Sequence, residues 1–259
     1  MSESTSARES RPVRGFATEP AAAAPALSDL SASFQNYLKA MWTLREWSDE
    51  PVSPTALAAR VGVKLPTASD AVRKLGRLGL VDYERYGAVS LTDSGRALAL
   101  EMVRRHRLIE TFLVAELGYT WDQVHDEAES LEHAVSEFMV DRIDDKLGHP
   151  ERDPHGDLIP RAGREPSLRG AVALTGIGPG RRVRVERISD EDPQLLQFFA
   201  DHGIGVGAQL LVGAGAPFSD SVEVTVLEDA GSGVGGGGGA PALPLGRTAT
   251  DAMWVTPRD

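Results

Sequence analysis

Hydrophobic residues recur at helical spacing soon after the start of the chain. A helix over residues 31–48 would carry one apolar face, made of Phe34, Leu38, Met41 and Trp42. A second helix is predicted to begin at the Ser-Pro pair of residues 53–54 and to end at Gly62, because serine caps helices well and proline suits the first helical position. A third follows from Pro66 to Gly79. Two helices joined by a short turn that contains glycine predict a helix-turn-helix.

Two short segments of alternating polar and apolar residues come next. They cover residues 80–84 and 88–91, and the Tyr-Gly pair between them suits a turn. A hairpin directly after a helix-turn-helix is the wing of a winged helix. We therefore predict a winged-helix domain over residues 28–96. Residues 1–27 show no apolar period, and their composition predicts a disordered tail.

Longer helical patterns fill the middle of the chain. Thr92 is predicted to cap a long helix that ends at Gly118. A capping box at residues 120–123 begins a further helical stretch that runs to Gly148. These helices form a second predicted domain over residues 97–165. Residues 149–169, which overlap its end, are rich in proline, glycine, arginine and aspartate and suit a linker.

Strand patterns dominate residues 170–259, the third predicted domain. Its elements are strands over 182–188, 209–213, 221–227 and 251–256, with a short helix over 193–202. This pattern predicts a small β-barrel-like domain in a chain that is otherwise mainly α. The glycine-rich run 231–240 is a loop inside it; since no Lys-Ser/Thr pair or helix follows, it does not predict a phosphate-binding loop.

Composition removes several classes of protein. The 259 residues include no cysteine, which excludes a disulfide framework, a cysteine zinc finger and a thiol nucleophile. No apolar run approaches the roughly 18 residues that a membrane helix needs, and no signal-peptide pattern opens the chain. We therefore expect a cytoplasmic protein with no membrane partner and no organic cofactor.

Charge is segregated along the chain, although the net charge is −11. The range from Arg60 to Arg85 contains six lysines and arginines but three acidic residues, whereas the range from Asp122 to Asp157 contains twelve acidic residues but three basic ones. The net charge alone would argue against nucleic-acid binding. The distribution instead indicates a basic patch on the winged helix and a separate acidic region.

The third helix and its surroundings carry the candidate DNA contacts. Short polar side chains occupy its first turns, where a recognition helix meets base edges, and nearby basic side chains could contact phosphates. The candidates are Lys64, Pro66, Thr67, Ser69, Asp70, Arg73, Lys74, Arg77 and Arg85. Asp70 could accept a hydrogen bond from cytosine or interact with the helix dipole. The alternative is a three-helix bundle with a solvated basic face; the hairpin favours DNA binding.

Histidine and glutamate cluster between Val103 and Glu137. The two sets of candidate metal ligands are His106, Glu110 and His125, and Glu129, Glu132 and His133. Spacings of four, seven and eight residues put side chains on one face of a helix. Imidazole and carboxylate ligands without a thiol suit manganese, iron(II), cobalt or zinc. The alternative is a salt-bridge network that draws on Arg104, Arg105 and Arg107.

Four segments resemble the diphtheria-toxin-repressor family of metal-dependent transcription regulators, especially its manganese-responsive actinobacterial branch. They are residues 91–96, 105–113, 124–133 and 153–160, and the resemblance covers roughly residues 28–256. It implies a winged helix that binds DNA, a helical domain that dimerises and holds metal, and an SH3-like third domain. It also implies a homodimer on double-stranded, palindromic operator DNA.

The resemblance further implies how each metal site is completed. One site would add Glu191 and Gln194 of the SH3-like domain to His106, Glu110 and His125. The other would add Asn36 to Glu129, Glu132 and His133. Iron-responsive members carry cysteine at the position of Glu129, so an oxygen ligand there resembles the manganese branch. Asn36 and Lys39 depart from the family pattern, because acidic residues often occupy the first position and sometimes the second; Lys39 argues against a two-manganese cluster.

The predicted function is a manganese-responsive repressor of metal-uptake genes, activated for operator binding by a divalent metal. Mn²⁺ is the expected ion, Fe²⁺ the alternative, and Zn²⁺ or Co²⁺ possible substitutes in vitro. Three other classes stay open: a metallohydrolase, a DNA-binding protein with no metal response, and a metal buffer. A hydrolase needs an open coordination position and a general base in a cleft, which closely spaced ligands beside a winged helix do not suggest.

Overall fold

In the computed structural model, the described residues are 25–48, 50–83, 87–161, 170–227 and 241–258. The predicted tail apart from residues 25–27, the predicted loop 231–240 and the candidate DNA contact Arg85 lie outside them. Among the helices of the described ranges, none has the length and apolar character required to cross a bilayer.

Three helices and a two-stranded antiparallel hairpin form the winged helix that the sequence predicted. They are α1 (Ala32–Trp47), α2 (Pro54–Val61), α3 (Leu65–Arg77), β1 (Val81–Tyr83) and β2 (Val89–Leu91). The Ser53 hydroxyl caps α2 by accepting a backbone hydrogen bond at 3.1 Å, and Gly62 ends α2 in the left-handed conformation with φ 71°. The core combines aliphatic side chains from all three helices, among them Leu38, Leu57 and Leu75.

Helix α3 differs from its predicted form at both ends. It begins at Leu65, one residue before Pro66, since proline is accepted anywhere in the first turn, where amides lack helical partners. Leu78 is the C-cap of α3 and is 44% exposed. Leu80, the residue that leads into the hairpin, is fully buried and contributes to the hydrophobic core in its place.

The long helix α4 (Asp93–Leu117) connects the winged helix to the second domain. The Thr92 hydroxyl caps it as predicted, accepting a hydrogen bond from the Gly95 amide at 3.1 Å. A Cβ atom at Gly95 would lie 1.9 Å from the carbonyl oxygen of Leu80. Because real Cβ atoms do not approach so closely, glycine allows the first turn of α4 to rest directly on the winged helix.

The helical stretch predicted to end at Gly148 is two helices, α5 (Val124–Leu131) and α6 (Glu137–Lys146). The predicted capping box forms in part, since the Gln123 side chain accepts a hydrogen bond from the Thr120 amide at 3.2 Å. The break after α5 arises because the Ser136 hydroxyl caps a new helix, accepting a hydrogen bond from a backbone amide of its first turn.

The third domain is a six-stranded antiparallel sheet with two short helices. Its elements are β3 (Val172–Ala173), β4 (Arg182–Ile188), α7 (Pro193–Asp201), β5 (Gln209–Gly213), β6 (Val222–Leu227), β7 (Leu243–Leu245), α8 (Arg247–Asp251) and β8 (Met253–Arg258). The strand order is β3-β8-β4-β5-β6-β7. This is the predicted small β-barrel-like domain. The last predicted strand was wrong at its start, since Asp251 ends α8 and the strand begins at Met253.

The described part of the linker lies against the third domain. Gly156 has φ 93°, and a Cβ atom there would lie 2.2 Å from the carbonyl oxygen of Glu186, at a bulge in β4. The Ile188 amide donates a hydrogen bond to the carbonyl of His155 at 2.9 Å. These contacts hold the linker backbone at His155 and Gly156 against the end of β4.

Tryptophan side chains pack against other elements of the chain, and two of them meet between the first and third domains. The Arg187 guanidinium lies 3.7 Å from the ring centre of Trp47 on α1 and 4.4 Å from that of Trp254 on β8. Trp121 stacks on His155 of the linker with ring centres 6.0 Å apart. Trp42 of α1 lies below the guanidinium of Arg96 on α4.

Candidate metal centre and nucleic-acid interface

Helices α4 and α5 and the segment after β4 bring together His106, Glu110, His125 and Asp190. One Glu110 oxygen lies 3.1 Å from His106 Nε2 and 3.6 Å from His125 Nδ1, and His125 Nδ1 lies 2.8 Å from an Asp190 oxygen. One ligand atom from each of the four residues lies within 4.8 Å of the others. The first three were predicted to share a site, and Asp190 completes a four-ligand group.

Asp190 was missed by the sequence analysis, which assigned Glu191 and Gln194 from the same segment. Glu191 forms an exposed ion pair with Arg60, and Gln194 lies exposed in the first turn of α7. Their roles as ligands stay predictions. The Ser-Asp-Glu-Asp run that follows β4 was the available signal, but its residues cannot be ranked from sequence because only the fold decides which one turns inward.

Opposite charges stabilise this group without any ion. Burial and the Lys39 ammonium oppose a charge on His106, but the Glu110 and Glu132 carboxylates outweigh them and raise its pKa to about 9. Burial likewise opposes a charge on His125, yet Asp190 and Glu110 raise its pKa to about 10. A field that favours a proton on each imidazole also favours a metal cation, and metal binding here would release those protons.

A second group of carboxylates surrounds the Lys39 ammonium, which reaches them from α1. Lys39 Nζ lies 2.6 Å from a Glu129 oxygen and 2.6 and 2.8 Å from the two Glu132 oxygens. Glu132 is fully buried, and it also lies 2.7 Å from Nδ1 of His106. Lys39 therefore neutralises the carboxylates that the sequence assigned to the second metal site.

His133 lies beside this group with one ring nitrogen available as a ligand. Its Nδ1 lies 2.7 Å from Oε1 of Gln35, whose Nε2 donates hydrogen bonds to the carbonyls of Leu27 and Leu30. Because the amide orientation of Gln35 is fixed in this way, Nδ1 of His133 carries the hydrogen. Nε2 is buried, has no hydrogen-bond partner in the described chain, and lies 3.4 Å from Glu132.

The donor atoms of both groups fit a divalent transition metal. Besides Nε2 of His133, both oxygens of Glu110 and Oδ1 of Asn36 are buried without a well-oriented hydrogen bond from any described residue. Buried polar atoms are normally satisfied, so unsatisfied nitrogen and oxygen atoms beside carboxylates and imidazoles are the expected state of a metal site.

The neighbouring arginines do not form the alternative salt-bridge network with these ligands. Arg104 pairs with Asp144, Arg105 donates to the backbone carbonyls of Glu132 and Val135, and Arg107 interacts with Glu46 and with the linker. Among the described lysines and arginines, Lys39 of α1 is the one that pairs with the ligand carboxylates of Glu129 and Glu132.

The candidate DNA contacts form a polar face on α3 and the turn before it. The exposed members are Lys64, Pro66, Thr67, Arg73, Lys74 and Arg77, while Ser69 and Asp70 are half-buried. Asp70 lies 2.8 Å from Lys74 and 3.6 Å from Arg73, and its hydrogen bond with Lys74 lowers the pKa of the Asp70 carboxyl. Asp70 therefore orients basic side chains of its own helix, whichever base it faces.

Three family models together match most of the chain. The N-terminal DNA-binding domain of the iron-dependent repressors matches residues 29–89. Their metal-binding and dimerisation domain matches residues 92–161, and the FeoA domain matches residues 172–255. The order of these models agrees with the winged helix, the helical segment and the β-domain described above.

Individual relatives extend over most of the same length. The chain is 34% identical over 203 residues to the iron-dependent repressor IdeR of Mycobacterium leprae, covering 72% of this chain and 86% of that protein. It is 31% identical over 201 residues to the diphtheria toxin repressor of Corynebacterium diphtheriae, covering 71% and 85%. A solved manganese-dependent transcriptional repressor in complex with manganese is 50% identical, with a TM-score of 0.79, covering 87% of this chain and 100% of that one.

Proposed function

The chain belongs to the iron-dependent repressor family, and we propose that it is a manganese-responsive repressor of metal-uptake genes that binds palindromic operators. The family predicted from the sequence is confirmed, and the chain is a metal-dependent transcriptional repressor. Its DNA-binding and dimerisation domains indicate that it acts on DNA as a homodimer. The finer statements, on the metal, the ligands and the operator, are proposals.

The observation that carries the choice of metal is the set of donor atoms. The chain has no cysteine, and its candidate ligands are carboxylate and amide oxygens with imidazole nitrogens, a set that suits Mn²⁺. The 50% identical solved structure is of a manganese-dependent repressor, whereas the iron-dependent relative from Mycobacterium leprae is 34% identical. We therefore place Mn²⁺ first and Fe²⁺ second, with Zn²⁺ and Co²⁺ as ions that the same ligands would accept in vitro.

Two sets of residues would hold the ions. Asn36, Glu129, Glu132 and His133 form the set that includes a residue of the winged helix. His106, Glu110, His125 and Asp190 form the set that includes the third domain. A bound divalent ion would supply positive charge that ligands from different domains share.

Ligands shared between domains explain how metal controls DNA binding. Asn36 lies on α1, whose side chains form the core of the winged helix, while Glu132 and His133 follow α5 in the second domain. Shared ligation would hold α1 in one position relative to α5. The α3 helices of two protomers would then meet operator half-sites about 34 Å apart. Since ligation is complete in that arrangement, metal shifts the population towards it.

The experiment is an in vitro selection of random DNA duplexes on the full chain, followed by fluorescence anisotropy on the selected sequence. We expect Mn²⁺ to enrich a palindrome, and we expect the protein to release that palindrome when the metal is chelated. Fe²⁺, Zn²⁺ and Co²⁺ are then compared on the same duplex. Metal-independent enrichment, or no enrichment at all, would contradict the proposal.

Matched variants separate the two surfaces. Glu132→Gln with His133→Ala should abolish the response to Mn²⁺. Lys74→Ala should weaken DNA binding, and reduce its salt dependence by about one phosphate contact, without changing Mn²⁺ binding measured by calorimetry. If both variants lost metal binding equally, the division into a metal site and a DNA surface would be wrong.

A further inference from the structure

We propose that Arg187 positions the winged helix for operator binding, because it holds the C-terminal end of α1 against the third domain. The proposal rests on the proposed function in taking operator binding as the activity. Arg187 belongs to β4, is 1% exposed, and contacts α1, the linker and β8 at once. It is not among the residues assigned above to the metal sites or to DNA.

A bulge in β4 turns the Arg187 side chain towards α1. Val185 lies opposite Val255 of β8 and faces the core, so regular alternation would direct Arg187 to the core as well. The register shifts between these two residues of β4, and Arg187 lies opposite Trp254 instead. Bulges redirect side chains in this way. The bulge therefore keeps a charged side chain out of the core of the third domain and places it beside Trp47 of α1.

The guanidinium of Arg187 is fixed in both position and orientation. It lies 3.7 Å from the ring centre of Trp47 and 4.4 Å from that of Trp254, and the two rings meet edge to face. Nη1 donates a hydrogen bond to Oδ1 of Asp157 at 3.0 Å, and Nη2 donates one to the backbone carbonyl of Glu46 at 2.8 Å. A planar guanidinium with partners in several directions is held in one orientation, which a point charge on a flexible stem is not.

The hydrogen bond to Glu46 caps α1 from another domain. The last carbonyls of a helix lack partners within it, and a cation near them interacts favourably with the helix dipole. The chain leaves α1 at Ser48 in an extended conformation, whereas α2 ends in the left-handed turn of Gly62. Arg187 therefore satisfies a carbonyl in the last turn of α1. Arg107 of α4 pairs with the Glu46 carboxylate, so the second and third domains both hold this end of α1.

Two fixed points on α1 determine its direction, whereas one point leaves it free to pivot. Lys39, which pairs with carboxylates of the second domain, and the proposed ligand Asn36 both lie in the first half of α1. Trp47 lies about 16 Å further along the helix, at 1.5 Å per residue. The contacts of Arg187 supply the second fixed point. Since α1, α2 and α3 share one core, the direction of α1 sets that of α3.

The chemistry of this contact suits positioning better than stability. Replacing a buried ion pair by well-packed apolar residues is often neutral for stability. An apolar side chain at position 187 would still pack against both tryptophans, but it would let them slide past each other. The ion pair of Arg60 with Glu191 joins the same two domains, but it is exposed, and such pairs contribute little.

The first test measures position without an operator. The chain has no cysteine, so Arg77→Cys on α3 and Ala200→Cys on α7 attach two spin labels at exposed sites. Double electron–electron resonance is recorded on the full chain with diamagnetic Zn²⁺, mixed with excess unlabelled chain so that one protomer of a dimer is labelled. Arg187→Met should broaden the distance distribution. Trp47→Leu, which removes the α1 side of the contact, should broaden it too, whereas Arg182→Met, exposed on the same strand, should not.

The second test asks whether this position matters for DNA binding. On the palindrome selected with Mn²⁺, Arg187→Met should bind about tenfold more weakly, the loss expected if the competent arrangement fell to about a tenth of the molecules. It should also discriminate less against a palindrome with one base pair inserted between the half-sites, because a winged helix that pivots can follow the displaced half-site. Chemical denaturation should show little change in the free energy of unfolding.

The outcomes separate this inference from the proposed function. Unchanged distance distributions in both variants, or broader distributions with unchanged binding and discrimination, would overturn the role of Arg187 and leave the metal-dependent repressor intact. Absence of Mn²⁺-dependent operator binding by the unmodified chain would overturn the proposed function and the role in DNA binding with it, whereas the distance distributions would still decide whether Arg187 holds α1. Should Arg187→Met fail to fold, Trp47→Leu decides both tests.

Discussion

At the junction with the third domain, the carboxylates of Glu110 and Asp190 are balanced by the imidazoles of His106 and His125. Beside α1, the carboxylates of Glu129 and Glu132 are balanced by the ammonium of Lys39. To hold a metal cation, His106 and His125 of the first group would give up protons, which would diffuse away. The carboxylates of the second group would hold one beside the Lys39 ammonium, which is covalently attached to the winged helix.

This difference connects metal binding to the position of α1. An imidazole that loses its proton stays where it is and becomes a ligand, so the first group can bind metal with little rearrangement. The Lys39 side chain is part of α1 and cannot diffuse away as a proton does. It has to withdraw from Glu129 and Glu132, or stay and share them with the ion. The comparison predicts that substitutions beside α1 change the metal response more than substitutions at the other group.

The largest effect is expected for Glu132→Gln. Glu132 is fully buried and contacts Lys39, His106 and His133. Removing its charge leaves the buried Lys39 ammonium with a neutral amide where it had a carboxylate partner. Breaking a buried ion pair lowers the free energy of unfolding by about 3–5 kcal/mol. Chemical denaturation should show that loss, and anisotropy should show no response to Mn²⁺. Glu127→Gln, on the exposed side of α5, is the control and should match the unmodified chain.

Gln35→Ala should weaken Mn²⁺ binding at the α1 group by about 10–100-fold, the usual loss when a residue that orients a metal-binding histidine is removed. Gln35 fixes the hydrogen on Nδ1 of His133, and so leaves Nε2 free to bind. Calorimetry would measure the change. Gln35→Glu should restore most of the affinity, because a carboxylate also accepts the hydrogen from Nδ1. If neither variant altered the affinity, His133 would not be a ligand.

Lys39→Met should tighten Mn²⁺ binding at the same group by about tenfold or more. The substitution removes a like charge near the ion, and at an effective dielectric constant of about 20 such a repulsion is worth a few kcal/mol. The metal-free variant should also unfold at lower denaturant concentration, since Glu129 and Glu132 would repel each other. Lys74→Met, at an exposed lysine of α3, should leave the affinity unchanged. Weaker binding in Lys39→Met would show that Lys39 assists the ion rather than competing with it.

The smallest effects test the choice between Asp190 and Glu191. Asp190→Asn should weaken binding at the group with His125 by about tenfold, because one charge is removed beside the ligands. Glu191→Gln should change it by less than about twofold, since an exposed ion pair such as that with Arg60 contributes little. The reverse ranking would restore Glu191 as the ligand implied by the family resemblance.

Local signals predicted most of the fold because they act within a few residues. Helices begin after the caps Ser53 and Thr92 and end at Gly62 whatever the tertiary structure around them. The alternation of polar and apolar residues likewise identifies β4 and β5 without any knowledge of their neighbours. The break after α5 was harder to predict. The acidic residues on both sides of Ser136 are compatible with one continuous helix, and the cap at Ser136 is a weaker local signal than their pattern.

The residues of the candidate site likewise include some that local sequence signals predict and others that depend on tertiary packing. His106 and Glu110 share one helix, so their spacing alone places them together. Asp190 reaches them only because β4 and the linker pack beside α4, and Lys39 reaches Glu132 across ninety-three positions of the chain. Contacts of this kind depend on the packing of whole domains, which the period of hydrophobic residues does not encode.

The four tryptophans give the chain its own optical probe of domain arrangement. Trp47 and Trp254 belong to different domains and lie on the same guanidinium, Trp121 stacks on the linker histidine, and Trp42 lies against α4. Charged groups held against indole rings alter emission, and their withdrawal restores it. The intrinsic fluorescence of this protein is therefore a direct signal of how closely its domains are joined, and a titration needs no added dye.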